Sequence, residues 1–133
     1  MTTAWLDTNV VVRFLAKEPP AMAHRAERLL AKAQAGEITF RLTPIVVAEI
    51  VWVLRTIYGR ESREIAATLS ALLRADGIVA DQRDTLLEAL DLMAERRVAF
   101  PDAFIAVSAR QANEPVCSFD RDFERLDVEI LAS

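Results

Sequence analysis

The sequence predicts an α/β fold, a three-layer α/β/α sandwich around a mostly parallel sheet, and three observations carry that expectation. Short β-type runs alternate along the chain with longer stretches whose apolar residues recur at helical spacing. Turn, cap or breaker residues stand between them: Gly36, Thr43-Pro44, Asp76-Gly77, Pro101 and Pro115. The 53% hydrophobic content, with only three glycines and five prolines, excludes a disordered chain and a loop-rich scaffold held by staples.

Thr3-Ala4-Trp5-Leu6 reads as the first strand, closed by Asp7-Thr8-Asn9. Val10, Val11, Phe14 and Leu15 then mark a helix that Glu18-Pro19-Pro20 breaks. The segment from Ala21 to Ala35 carries Met22, Ala26, Leu29, Leu30 and Ala33 on one face before Gly36 stops it. Ile38 to Leu42 is the second strand. Thr43 can cap the next helix and Pro44 can take its first position, the helix running to about Tyr58-Gly59. Ile65, Ala66, Leu69, Leu72 and Leu73 give a further helix ended by Asp76-Gly77, and Ile78-Val79-Ala80 is a short third strand. Leu86, Ala89, Leu90 and Met93 form the stripe of the following helix; Phe100-Pro101-Asp102 opens another with Phe104, Ile105 and Val107. Pro115 introduces a fourth strand, Val116-Cys117-Ser118, and after a turn or short helix over Asp120 to Leu126 comes a last one, Val128-Glu129-Ile130. Strands separated by helices imply crossover connections and a sheet covered on both faces. Ligands of such sheets bind beyond the carboxyl ends of the strands.

At 133 residues, with no repeat, low-complexity tract or linker, a single domain over residues 1–133 is expected, burying about two-thirds of its unfolded surface. No run approaches ~18 consecutive apolar residues, and the N-terminus reads as a strand and not as a charged leader, so a cytoplasmic protein without membrane contact is expected. Cys117 is alone, which excludes an internal disulfide and a cysteine zinc cage; its apolar neighbours predict a small buried strand residue. His24, the one histidine, has no placed partner for nucleophilic catalysis. The net charge of −4 argues against a broad nucleic-acid-binding surface. Of the 16 basic residues, however, only Lys17 and Lys32 are lysine, and arginine binds phosphate with a two-pronged fork.

Four carboxylates stand out. Glu49 lies in Ile45 to Leu54, a helix apolar nearly all round, so it is expected to be buried, where a carboxylate needs an ion pair with Arg55 or Arg41, protonation or a metal. An exposed helix edge is the ordinary alternative. Asp7 ends the first strand, Asp102 follows Pro101 at a helix start, and Asp120 follows the fourth strand; each could serve simply as a cap or a dipole partner. Together they have another reading. In a doubly wound sheet, Asp7 and Asp120 would close adjacent strands on one edge, with Glu49 and Asp102 in the first turns of helices starting near it. Anions gathered there repel, and a hard divalent cation would compensate them. Oxygen-only ligation suits Mg²⁺ or Mn²⁺ over zinc or copper, and such ions activate water against a phosphodiester without a histidine base.

Four pieces of the chain carry a resemblance: Leu6-Asp7-Thr8-Asn9, the Pro44-to-Leu54 segment with Ala48-Glu49, Asp102-Ala103-Phe104-Ile105-Ala106, and Ser118-Phe119-Asp120-Arg121-Asp122-Phe123. In this order the chain resembles the PIN-domain ribonucleases, and among them the VapC-type toxins of bacterial toxin–antitoxin pairs. The resemblance implies a five-stranded parallel sheet, Mg²⁺- or Mn²⁺-dependent endonucleolytic cleavage of RNA, a homodimer, and an antitoxin that occludes the acidic pocket. Asp7, Glu49, Asp102 and Asp120 match the family's catalytic and metal-holding quartet. Thr8 or Asn9 and Ser118 match its supporting polar positions, and Asp122 is an additional acidic candidate. Arg13, Arg96, Arg97 and Arg121 are candidates for gripping RNA, from their closeness in sequence to the acidic pieces.

Three competing classes remain in view. A receiver-like phosphotransfer domain would want a lysine late in the chain, which is absent. A haloacid-dehalogenase-like phosphatase would want an aspartate where Asn9 stands. A catalytically inactive PIN-fold interaction module would have no use for an intact quartet of repelling acids.

Overall fold

Thr2–Trp5 (β1) and Ile38–Arg41 (β2) pair in parallel, with Thr2 opposite Ile38 and Trp5 opposite Arg41. The computed structural model describes residues 2–131 and divides into two compact units, one up to Arg83 and one from Asp84.

In the first unit, Ile78–Val79 (β3) pairs in parallel on the other side of β2, Phe40 opposite Ile78. Parallel pairing needs long returns, and the intervening residues supply them as helices. Thr8–Ala16 (α1) and Pro20–Gln34 (α2) connect β1 to β2; Pro44–Thr56 (α3) and Ser62–Leu73 (α4) connect β2 to β3. The capping expected at Thr43 is present: its hydroxyl accepts from Val46 N at 3.3 Å, with Pro44 in the first turn. Phe40, Leu42, Val47, Ile50, Leu54, Leu69 and Leu73 are buried. Gly77 is required where it stands. Its φ of +83° is left-handed, and a Cβ there would lie 2.3 Å from the Ala33 carbonyl oxygen of α2.

The second unit contains Arg83–Arg96 (α5, which starts at the boundary), Phe100–Ala112 (α6) and a 3-10 helix over Arg121–Arg125. The predicted stripe of Leu86, Ala89, Leu90 and Met93 is fully buried. Thr85 donates to Gln111 Oε1 at 2.6 Å and Gln111 Nε2 donates to Glu88 at 3.2 Å, tying α5 to α6.

The α/β class and the parallel sheet match expectation, with six α-helices among the described residues, but the sheet has three strands and not five. The expected fourth and fifth strands, Val116–Ser118 and Val128–Ile130, contract to one parallel bridge between Val116 and Ile130. Val116 N donates to Glu129 O and Leu131 N to Val116 O, each at 2.8 Å. Pro115 offers no N–H on one side, and on the other the chain turns at once through Ser118 and Asp120, so no second rung forms. Cys117 is correspondingly exposed and outside any strand, against the expectation of a buried strand residue.

Candidate active site

Asp7 stands immediately after β1. Leu6 N still donates to Arg41 O at 2.9 Å, so the ladder carries the chain up to Asp7 before α1 begins. Its backbone is extended (φ −93°, ψ 154°), as at an N-cap, yet its side chain makes no cap hydrogen bond. The carboxylate is exposed and uncommitted. Thr8 beside it is 4% exposed, with its hydroxyl buried and without a hydrogen-bond partner. Asn9 is exposed and, with Arg13, Met22 and Arg25, lines a cavity of about 120 Å³.

Glu49 departs from expectation. The helix α3 is not buried all round: Val47, Ile50, Val51 and Leu54 point inward, while Ile45 (79% exposed), Glu49 and Trp52 share the outer side. Neither Arg55 nor Arg41 pairs with it; Arg41 instead lies over the Trp5 ring, 5.7 Å from its centroid. The exposed-edge alternative therefore describes its surroundings, and its carboxylate has no ion pair among the described residues.

In the second unit three carboxylates come together. Asp102 sits half-buried in the first turn of α6, after Pro101. Asp120 precedes the 3-10 helix and accepts from Asp122 N at 2.9 Å, and its own N–H donates to Ser118 Oγ at 3.0 Å. Ser118 thus holds the Asp120 backbone in place. Asp102, Asp120 and Asp122 each offer an oxygen within 4.8 Å of the others. Burial, then the charge of Asp120, then that of Asp122 push the Asp102 carboxyl above the usual aspartate range. The neighbouring cation, Arg125, is engaged with Asp122 at 3.2 Å.

Three carboxylate oxygens at this spacing fit a hard divalent ion, whose oxygen ligands lie ~2.0–2.6 Å from the metal. Asp122 belongs to this group more firmly than the sequence suggested. The signal was available in its position two residues after Asp120, the reach of an Asx turn. Asp7 and Glu49 lie in the first unit, and the gathered set consists of Asp102, Asp120 and Asp122.

The four candidate arginines differ in freedom. Arg96 is tied up, donating to Asp127 at 2.9 Å and to the Arg125 carbonyl. Arg13 is half-buried, with Nε closed to solvent and unpartnered. Arg97 ends its helix in a left-handed conformation (φ 55°) and is exposed. The Arg121 side chain is 89% exposed, with only a long 3.8 Å contact to Glu124.

Within the second unit, the triad of Asp102, at a helix start, with Asp120 and Asp122, at the turn into the 3-10 helix, defines a candidate metal-binding centre. The sequence matches the PIN domain over residues 4–129, and the chain belongs to the PIN domain family, whose members are typically nucleases. Among solved structures it is similar to the crystal structure of VapBC2 from Rickettsia felis bound to a DNA fragment from their promoter. The two are 20% identical, with 99% of this chain and 98% of that chain covered and a TM-score of 0.38. A search of curated proteins finds no match. No helix among the described residues is long and apolar enough to cross a membrane.

Proposed function

We propose that the chain is a Mg²⁺- or Mn²⁺-dependent endoribonuclease acting as the toxin of a toxin–antitoxin pair. The observation that carries the nuclease reading is the cluster of Asp102, Asp120 and Asp122, in which ionisation of Asp102 is opposed first by burial and then by its two neighbours. Such a group is an electrostatic cost unless a cation offsets it. The toxin assignment rests on the motif order set out above.

Asp102 and Asp120, with Asp122 assisting, would hold the ion, and Ser118, accepting from the Asp120 N–H, fixes the backbone from which that carboxylate projects. The bound ion supplies charge neutralisation of a phosphodiester and a water of lowered pKa. Asp7 and Glu49 complete the catalytic quartet by resemblance, and both carry exposed carboxylates with no ion pair among the described residues. The Thr8 hydroxyl and Asn9 would support Asp7, while Arg121 and Arg97 are the freest of the four arginines to hold RNA phosphate. The family match runs unbroken across the boundary between the two units, which supports a single domain over residues 1–133.

A cytoplasmic homodimer restrained by a cognate antitoxin completes the proposal. Its dimer part is supported by Ile45 and Trp52, large apolar side chains exposed on α3. The alternative, an inactive PIN-fold binding module, would tolerate loss of the acids. Purified protein is expected to cleave RNA in Mn²⁺ and to stop in chelator, with Glu49→Gln and Asp7→Asn folded but inactive. Cleavage that persists in chelator, or in both variants, defeats the proposal.

A further inference from the structure

We infer that Phe119 is a substrate-positioning residue, a platform on which an unpaired nucleobase stacks beside the acidic cluster; the inference rests on the ribonuclease reading above. Phe119 is 100% exposed. The other large apolar residues on the surface keep part of themselves against the protein: Ile45 is 79%, Trp5 67% and Trp52 61% exposed. A phenyl ring wholly in water gains nothing from folding, and burying one is ordinarily favourable.

Nor is the ring on a slack loop. On its N-terminal side Val116 is held by hydrogen bonds in both directions, to Glu129 and from Leu131. On its C-terminal side Asp120 N donates to Ser118 Oγ, and Asp122 N donates to the Asp120 carboxylate. Phe119 is thus carried on a pinned turn, directly preceding a carboxylate that shares a 4.8 Å cluster with Asp102 and Asp122. Arg121, on the far side of Asp120, presents a guanidinium held only by the long Glu124 contact.

Aromatic face, carboxylate and guanidinium follow one another at residues 119, 120 and 121. A single-stranded nucleic acid presents bases that can stack on the ring and phosphates that the guanidinium and a cation held by the carboxylates would meet. Stacking on an aromatic side chain is tolerant of base identity, because every base has a π-face, but it demands that the base be unpaired. The same turn would therefore favour single-stranded RNA over duplex and align the backbone next to the acids. Arg121 would meet the adjoining phosphate.

The test is steady-state cleavage in Mn²⁺ of a pool of single-stranded oligoribonucleotides, and of the same strands annealed into duplex, by wild type, Phe119→Ala and Phe119→Trp. Because the ring is fully exposed, all three should melt at the same temperature. Phe119→Ala is expected to raise KM for the single strands roughly 5- to 150-fold with kcat near wild type, and Phe119→Trp to restore it. Duplex should be cut poorly by all three. Wild-type kinetics in Phe119→Ala, a loss shared equally by duplex, or a loss that tryptophan does not rescue would overturn the inference. So would normal RNA cleavage by Phe119→Ala combined with lost binding to a partner protein, which would assign the ring to a protein interface. Absence of cleavage by the wild type brings down the nuclease reading and this inference with it, whereas an unaffected Phe119→Ala beside an active wild type brings down this inference alone.

Discussion

Replacing Asp102 by asparagine should stabilise the metal-free protein and weaken its response to metal. The magnitude follows from the cluster. At a separation of 4.8 Å, two unit charges repel by about 0.9 kcal/mol at the dielectric constant of water, and Asp102 faces two partners, Asp120 and Asp122. Physiological salt, with a Debye length of about 8 Å, roughly halves each repulsion. The first-turn position in α6 works the other way, since a charge there gains about 0.3–1 kcal/mol from the helix dipole. The net gain for Asp102→Asn in chelator at pH 7 and low salt is thus about 0.8–1.5 kcal/mol, shrinking to about 0.6 kcal/mol or less at physiological salt. Its pH dependence has a definite sign. The folded-state pKa of Asp102 is raised, so on acidification the folded protein takes up this proton before the unfolded chain does. The wild-type penalty is fully present above the raised value, declines through it, and is gone below the ordinary aspartate value; the variant's advantage follows the same course. In Mn²⁺ at a hundred times the dissociation constant, wild type should gain about 2.7 kcal/mol, on the order of 10 °C in Tm for a chain of this length, and the variant much less. Thermal melts with and without Mn²⁺, from pH 3 to pH 8, would read all of this. A variant less stable than wild type in chelator at every salt concentration, or one that responds equally to Mn²⁺, would refute the electrostatic account.

Two further predictions concern the scaffold. Gly77→Ala should destabilise by about 2–4 kcal/mol in urea melts, because a left-handed φ and a 2.3 Å approach to the backbone oxygen of Ala33 both oppose a Cβ there; a loss below 1 kcal/mol would mean that α2 yields. Thr43→Ala should cost about 1 kcal/mol through its lost cap, and Asp7→Ala distinctly less, since Asp7 occupies an N-cap without making the bond; equal losses would show that Asp7 caps α1 in solution.

Much of the fold is legible in the sequence because its helices announce themselves at both ends and along one side. Thr43-Pro44 and Phe100-Pro101-Asp102 mark starts, and Leu86, Ala89, Leu90 and Met93 show a phase that the buried face of α5 reproduces. Ile45 to Leu54 defeats the same method. When nearly every position is apolar, periodicity carries no phase, and which residues face outward is decided by what packs against the helix. Hence Glu49, expected inside, is outside with Ile45 and Trp52. Strand length at Val116 fails for a different reason. A run of three residues, two of them apolar, between a proline and a turn permits a strand without specifying a ladder, and a single bridge results. Cys117 loses its expected burial with that strand. Of the site, the residue types were readable because aspartates at strand ends and helix starts are conspicuous. The grouping of Asp122 with Asp102 and Asp120 depends on a side-chain turn that only the two-residue spacing of Asp120 and Asp122 signals.

The free carboxylates tell more together than any one of them. Folding offers an acidic side chain several stabilising tasks, among them capping a helix, pairing with a cation and lying near a helix N-terminus. Asp7 stands in a capping position and does not cap; Glu49 has neither an ion pair nor burial. Asp102 has the helix N-terminus, but two like charges stand against it. Asp120 does cap, through one carboxylate oxygen, which leaves the other available. Side chains that contribute so little to the stability of their own fold are the ones whose amide replacements should leave the protein folded. Activity lost in those variants without loss of Tm would therefore report on the chemistry of the carboxylates themselves, and that separation makes the acidic set testable as a catalytic device distinct from the scaffold that carries it.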